Sequence, residues 1–95
     1  MRTPIHPGEV LSDELEVLGI NASQLAGKIK VPANRITQIL KRQRAITADT
    51  ALRLGQAFET SAEFWLNLQK MYELDVAMQT CGKEIKTIEP LRKVA

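Results

Sequence analysis

Apolar residues recur along this chain at helical rather than strand spacing. Val10, Leu11, Leu15 and Leu18 form one stripe, with Ser12, Asp13, Glu14 and Glu16 mostly opposite. Pro7 suits the first position of that helix, where its missing N–H costs nothing, and Glu9 falls in the first turn, favourable for the helix dipole. Residues 1–6 read as an arm, and His6 as a candidate cap. Gly19 ends the helix, since glycine adopts the left-handed cap without penalty. Asn21 and Gln24 then carry capping-box spacing and open a second helix with Leu25, Ala26 and Ile29 on its apolar side. That helix cannot pass Val31, because Pro32 disfavours helical geometry in the residue before it.

From Pro32 a third helix places Ile36, Ile39 and Leu40 inward and leaves Ala33, Asn34, Arg35, Thr37, Gln38 and Lys41 outward. After the loop RQRAI, Thr47 is expected to cap a fourth helix, with Asp49 in its first turn. Ala48, Ala51, Leu52, Leu54 and Phe58 form its predicted core face. Ser61 is expected to cap a fifth and longest helix over residues 62–80, with Gly82 as its stop. The tail KEIKTIEPLRKVA contains Pro90, which argues for a short strand or extended arm. The expectation is an all-α fold of five helices with short loops.

Charge sharpens this picture. Residues 28–44 hold six cations (Lys28, Lys30, Arg35, Lys41, Arg42, Arg44) and no anion, whereas residues 1–27 and 45–80 are each net −3. The modest total of +2 therefore hides one basic surface on an acidic body. That is the electrostatic footprint of a protein that meets polyphosphate.

The second and third helices satisfy the needs of a helix-turn-helix. Ala26, Ile29, Ile36 and Ile39 supply small and apolar contacts between them, and Lys30-Val31-Pro32 fits a three- or four-residue turn. Asn34, Arg35, Thr37 and Gln38 stand at the start of the second helix of the pair, where side chains reach base edges in the major groove. Arg pairs with guanine and Asn or Gln with adenine through two hydrogen bonds. Gln24, Lys28, Lys41, Arg42 and Arg44 are placed for phosphate, and Ser23 and Ala33 lie at helix N-termini, whose N–H groups bind phosphate.

Other chemistry is poorly supplied. His6 is the sole histidine and Cys81 the sole cysteine, so no disulfide, metal site or cofactor is expected. Glu14 and Glu16 are two apart on a helix and do not face each other. There is no nucleophile–base pair and no phosphate-binding loop, which argues against an enzyme. No apolar run approaches the roughly 18 residues of a membrane span, and the N-terminus lacks a signal-peptide core, so the expected location is the cytoplasm. Phe64, Trp65, Leu68, Met71, Tyr72 and Met78 form more apolar surface than one small domain buries. Trp65, Leu68, Met71, Tyr72 and Met78 are therefore the candidate homodimer interface.

Five blocks carry a resemblance: HPGE at 6–9, LA at 25–26, VPANRITQIL at 31–40, RAITADTALRLGQAF at 44–58 and EFWLNLQKMYEL at 63–74. From His6 to Leu74 the chain resembles the HigA/VapI-type antitoxins of the xenobiotic-response-element (XRE) helix-turn-helix family. The resemblance implies a lambda-repressor-like helix-turn-helix domain over residues 1–80, with residues 81–95 as a short arm, extended or dimer-associated. It implies a dimeric repressor that binds operator DNA of its own toxin–antitoxin operon. It also implies neutralisation of a HigB-like toxin, an mRNA-cleaving ribonuclease acting with the ribosome. The acidic segments 9–16 and 59–75 are candidate surfaces for such a basic partner. A stand-alone transcriptional regulator without a toxin is the alternative. Two departures stand out. Lys41-Arg42-Gln43 occupies the place of a frequent Asn-Gly-Lys, so a left-handed Arg42 costs roughly 1 kcal/mol. Lys30 likewise replaces a glycine common in the turn.

Overall fold

Each helix boundary in the computed structural model, which describes residues 3–92, has a local cause. The elements are α1 (Pro7–Leu18), α2 (Ala22–Ile29), α3 (Ala33–Leu40), α4 (Ala48–Phe58) and α5 (Ala62–Ile85). His6 caps α1: its Nδ1 accepts from the Gly8 N–H at 2.9 Å, and its own N–H donates to Glu9 Oε2 at 3.1 Å. Gly19 closes α1 with φ 67°. Asn21 and Gln24 cap each other's backbone N–H at 2.8 Å, as their spacing predicts. Ser61 Oγ accepts from the Phe64 N–H at 3.1 Å and caps α5. Thr47 occupies the cap position of α4 without the expected side-chain bond to the backbone.

The core is assembled from every helix. Leu11 and Leu15 of α1, Leu25, Ala26 and Ile29 of α2, Ile36 and Ile39 of α3, Ala51 and Leu54 of α4 and Trp65 of α5 are buried, together with Ile46 from the loop before α4. Burying one such Leu or Ile side chain stabilises by about 1.5–3 kcal/mol before entropy is counted. α5 packs chiefly on α4, α2 on α3, and α1 bridges α3 and α5.

The close approach of α1 to α3 depends on Gly8. A Cβ there would press into the Ile39 carbonyl, 3.0 Å from its carbon. Only hydrogen at that position lets the first turn of α1 sit on the last turn of α3.

Several expectations change. Leu18 is 54% exposed and Leu52 64% exposed, so neither belongs to the core, and Ala48 is exposed as well. The α4 face turned inward is instead Thr50, Ala51, Leu54 and Gly55. Ala51, Leu54 and Gly55 share one helical face at spacings of three and four, and Leu52 falls off it despite its hydrophobicity. Gly82 does not stop α5, which runs on to Ile85. A glycine inside a helix costs about 1 kcal/mol but keeps its N–H, so it does not terminate the ladder. The first residues of the expected arm are thus helix, residues 86–87 form a turn, and no strand occurs among the described residues of the tail. Residues 1–2 and 93–95, the ends of the two expected arms, lie outside the described residues.

A candidate nucleic-acid interface

The basic surface is built from the end of α2, the turn, α3 and the loop after it. Lys30 ends α2 in the left-handed region at φ 64°, a conformation that costs a non-glycine residue about 1–2 kcal/mol. The site offsets this with hydrogen bonds. The Lys30 and Val31 N–H groups both donate to Ala26 O. From α4, Arg53 Nη1 donates to Ile29 O at 2.9 Å and to Lys30 O at 3.3 Å. A guanidinium at a helix C-terminus satisfies orphan carbonyls and complements the dipole. The sequence reading gave Arg53 no role.

Pro32 then turns the chain into α3, and Ile36 and Ile39 lock that helix into the core. The opposite side faces outward. Asn34 is exposed; Arg35, Thr37 and Gln38 are half-buried, at the rim of the same face. Thr37 Oγ1 donates back to Asn34 O at 3.3 Å. Arg44 Nη1 donates to Gln38 Oε1 at 3.2 Å, which directs the amide nitrogen of Gln38 away from the loop. Ser23, Gln24, Lys28, Ala33, Lys41, Arg42 and Arg44 are all exposed. Gln24 Oε1 is engaged by the Asn21 N–H, so its Nε2 is the end that can meet a phosphate.

Arg42 sits at φ 62°, the left-handed conformation expected where a glycine is frequent. Its N–H donates to Ile39 O at 3.0 Å, and the Gln43 N–H to Gln38 O at 2.8 Å, so the loop is closed by caps of α3. Arg42 Nη2 lies 3.4 Å from Glu9 Oε1, whose other oxygen caps α1. The loop after α3 is thereby tied to the start of α1.

Its position in the first turn of α4 gives Asp49 a helix-dipole role, and the fold gives it a second. In the structure its Oδ2 accepts from Arg35 Nη1 and, at 3.0 Å, from Arg53 Nε. These bonds from Arg53 and then Arg35 hold its carboxyl below the usual carboxylate range. The signal available in the sequence was the Asp49/Arg53 spacing of four on one helix face; the link to Arg35 is tertiary and left none.

The candidate dimer residues separate. Trp65 is 1% exposed, wedged between Phe58 and Phe64, with its Nε1 donating to Thr60 Oγ1 at 3.0 Å. It is core, and this corrects its assignment to an interface. Leu68 and Tyr72 are half-buried, while Met71 at 44% and Met78 at 42% exposure face outward. Leu68, Met71 and Tyr72 border an apolar hollow of about 430 Å³ with Thr3, Ile5, Val10 and Asp75. Tyr72 also meets the His6 ring edge-on at 4.8 Å. Burial first, and then the Arg42 charge, push the His6 imidazole below its ordinary pKa, against a smaller opposing effect of Glu9.

Among the described residues no group of three His, Cys, Asp or Glu side chains is placed to hold a metal ion. No helix among them is long and apolar enough to cross a membrane.

No protein-family model matches the chain. Known proteins do. A solved addiction module antidote protein of a HigA family from Coxiella burnetii is 52% identical, with a TM-score of 0.90, over 95% of this chain and 99% of that one. The Pseudomonas aeruginosa antitoxin HigA, solved with the higBA promoter, is 49% identical, with a TM-score of 0.89, over 95% of this chain and all 100% of that one. Virulence-associated protein I of Dichelobacter nodosus is 47% identical over 88 residues, 92% of this chain and 81% of that protein. Identity at this level across nearly the whole length, with TM-scores of 0.90 and 0.89, leaves one conclusion: the chain belongs to the HigA family of helix-turn-helix antitoxins.

Proposed function

We propose that this protein is a cytoplasmic antitoxin that binds operator DNA as a homodimer, represses its own operon and neutralises a HigB-like mRNA-cleaving toxin. The observation that carries the DNA half is the outward face of α3 beside a cluster of exposed cations, in a chain 49% identical to an antitoxin solved with promoter DNA. Asn34, Arg35, Thr37 and Gln38 read base edges. Ser23, Gln24, Lys28, Ala33, Lys41, Arg42 and Arg44 position the protein on phosphate, which fixes register without reading sequence. Leu68, Met71, Tyr72 and Met78 contribute to the two-fold interface, and residues 1–80 carry the DNA-binding unit. The toxin half is supported by family membership and by acidic surface on α1 and α5, suited to a basic partner. The role is one of binding rather than catalysis.

The test is binding to the duplex upstream of the gene, followed by fluorescence anisotropy. Two subunits place their α3 helices in successive major grooves, with half-sites roughly 34 Å apart. If each neutralises about four phosphates, log K falls against log salt with a slope near −7. Arg35→Ala or Gln38→Ala should cost about 1–3 kcal/mol and relax sequence preference, whereas Lys41→Ala should weaken all duplexes alike. Co-expression with the product of the adjoining reading frame tests the toxin half. A stable complex that abolishes RNA cleavage is expected; the absence of a basic partner there would leave a regulator without a toxin.

A further inference from the structure

We propose that Asp49 determines operator specificity without contacting a base, by holding the Arg35 guanidinium in the pose from which it reads DNA. This rests on the base-reading role of α3 and goes one step beyond it. One carboxylate oxygen, Asp49 Oδ2, accepts from Arg35 on α3 and from Arg53 on its own helix. Arg53 in turn grips Ile29 O and Lys30 O at the end of α2. A continuous set of bonds therefore runs from the last turn of α2, through Arg53 and Asp49, to the first turn of α3. It spans the two helices whose mutual angle decides how α3 enters a groove.

The charge balance makes the role specific. Asp49 is an exposed anion at the edge of a surface otherwise rich in cations, so toward phosphate it is repulsive. As a stability device an exposed ion pair is weak. As a tether it acts on a side chain with one of the largest rotamer entropies, and fixing such a chain before binding removes an ordering cost from the complex. Arg35 engages Asp49 through Nη1, one nitrogen of a guanidinium that carries five N–H donors. Donors therefore remain for the two acceptors of guanine. Removing Asp49 should thus have two opposed effects: tighter binding to an unrelated duplex, through the lost negative charge, and weaker binding to the upstream one, through the lost ordering of Arg35.

The experiment compares the full-length protein on its upstream duplex and on a scrambled duplex of equal length, at fixed salt, by anisotropy. For Asp49→Ala, binding to the scrambled duplex should strengthen about two- to three-fold, through loss of one negative charge per subunit. The ratio of upstream to scrambled affinity should fall about ten-fold, within the range a two-bond base contact supplies. Asp49→Asn keeps the side-chain shape and an amide oxygen, and should lower the ratio about three-fold; it carries the test if the alanine variant melts below the assay temperature. In an Arg35→Ala background, Asp49→Ala should leave the ratio unchanged, because the two residues act as one unit. If both Asp49 variants strengthen the two duplexes equally with no loss of ratio, Asp49 is only a charge and the proposal fails. It fails too if the ratio drops just as far without Arg35. If Arg35→Ala alone leaves the ratio of the wild-type protein intact, base reading by Arg35 falls along with it, and that result is visible before any Asp49 variant is made.

Discussion

Replacing Gly8 by alanine sets helix propensity against packing, and the two disagree in sign. Gly8 lies in the first turn of α1. Propensity alone favours alanine in a helix by up to about 1 kcal/mol. At Gly8, however, the new methyl would lie 3.0 Å from the Ile39 carbonyl carbon, closer still to its oxygen, and 3.1 Å from His6 Nδ1. These are backbone and cap atoms that cannot swing aside like the end of a flexible chain. Relief requires α1 to lift from α3, weakening the His6 cap and the contacts of buried Leu11. Overpacking of this kind costs about 1–3 kcal/mol or more, and loss of a cap about another 1 kcal/mol. Net of propensity, Gly8→Ala should destabilise by about 2–3 kcal/mol. For a domain of this size that lowers Tm by about 10–20 °C. Gly27 is the control: it lies within α2, and a Cβ there meets nothing within 4 Å. Gly27→Ala should stabilise by up to about 1 kcal/mol. Thermal and urea unfolding followed by circular dichroism measure both. A Gly8→Ala protein as stable as wild type would refute the direct packing of α1 on the end of α3.

Arg42→Gly should relieve the left-handed backbone and raise stability by up to about 1 kcal/mol in urea titration. It should also weaken DNA binding and flatten the salt slope by about 1 per subunit. Gln69→Leu should lower the urea midpoint by the equivalent of about 1–3 kcal/mol, since buried Gln69 Oε1 accepts from the Ile46 N–H at 2.9 Å and that donor would be orphaned. Stability should fall with acid in a His6-dependent way. The folded pKa lies below the unfolded value near 6.5, so as pH drops below about 6.5 the unfolded chain takes up a proton that the folded one refuses. The loss should steepen to at most about 1.4 kcal/mol per pH unit and cease once pH passes below the lowered folded pKa. It should vanish in His6→Asn, whose side chain caps without titrating.

What was legible in the sequence is what is local. Pro7, Gly19, the Asn21/Gln24 box, Pro32 and Ser61 act within a few residues, and each stands where its chemistry predicts. The left-handed Arg42 was legible because a resemblance supplied the missing glycine. Tertiary choices were not. On α4 Leu52 is 64% exposed while Thr50 is 2% exposed, so hydropathy alone does not decide which side chain is enclosed. The end of α5 was misjudged because glycine permits a stop without enforcing one. In the candidate interface the outward residues of α3 follow from periodicity, but the Arg35–Asp49–Arg53 linkage joins residues up to eighteen positions apart and leaves no periodic trace.

The claim on which the rest depends is that α3 is the element that meets DNA. Isotope-labelled protein titrated with its upstream duplex tests it residue by residue in heteronuclear NMR spectra. The expected result is large amide and side-chain shifts at Asn34, Arg35, Thr37 and Gln38, smaller ones at Ser23, Lys41 and Arg44, and none at Asp13, Glu14, Glu16 and Val17 on the outer side of α1. Shifts concentrated on α1 or α5, with α3 silent at saturation, would contradict it.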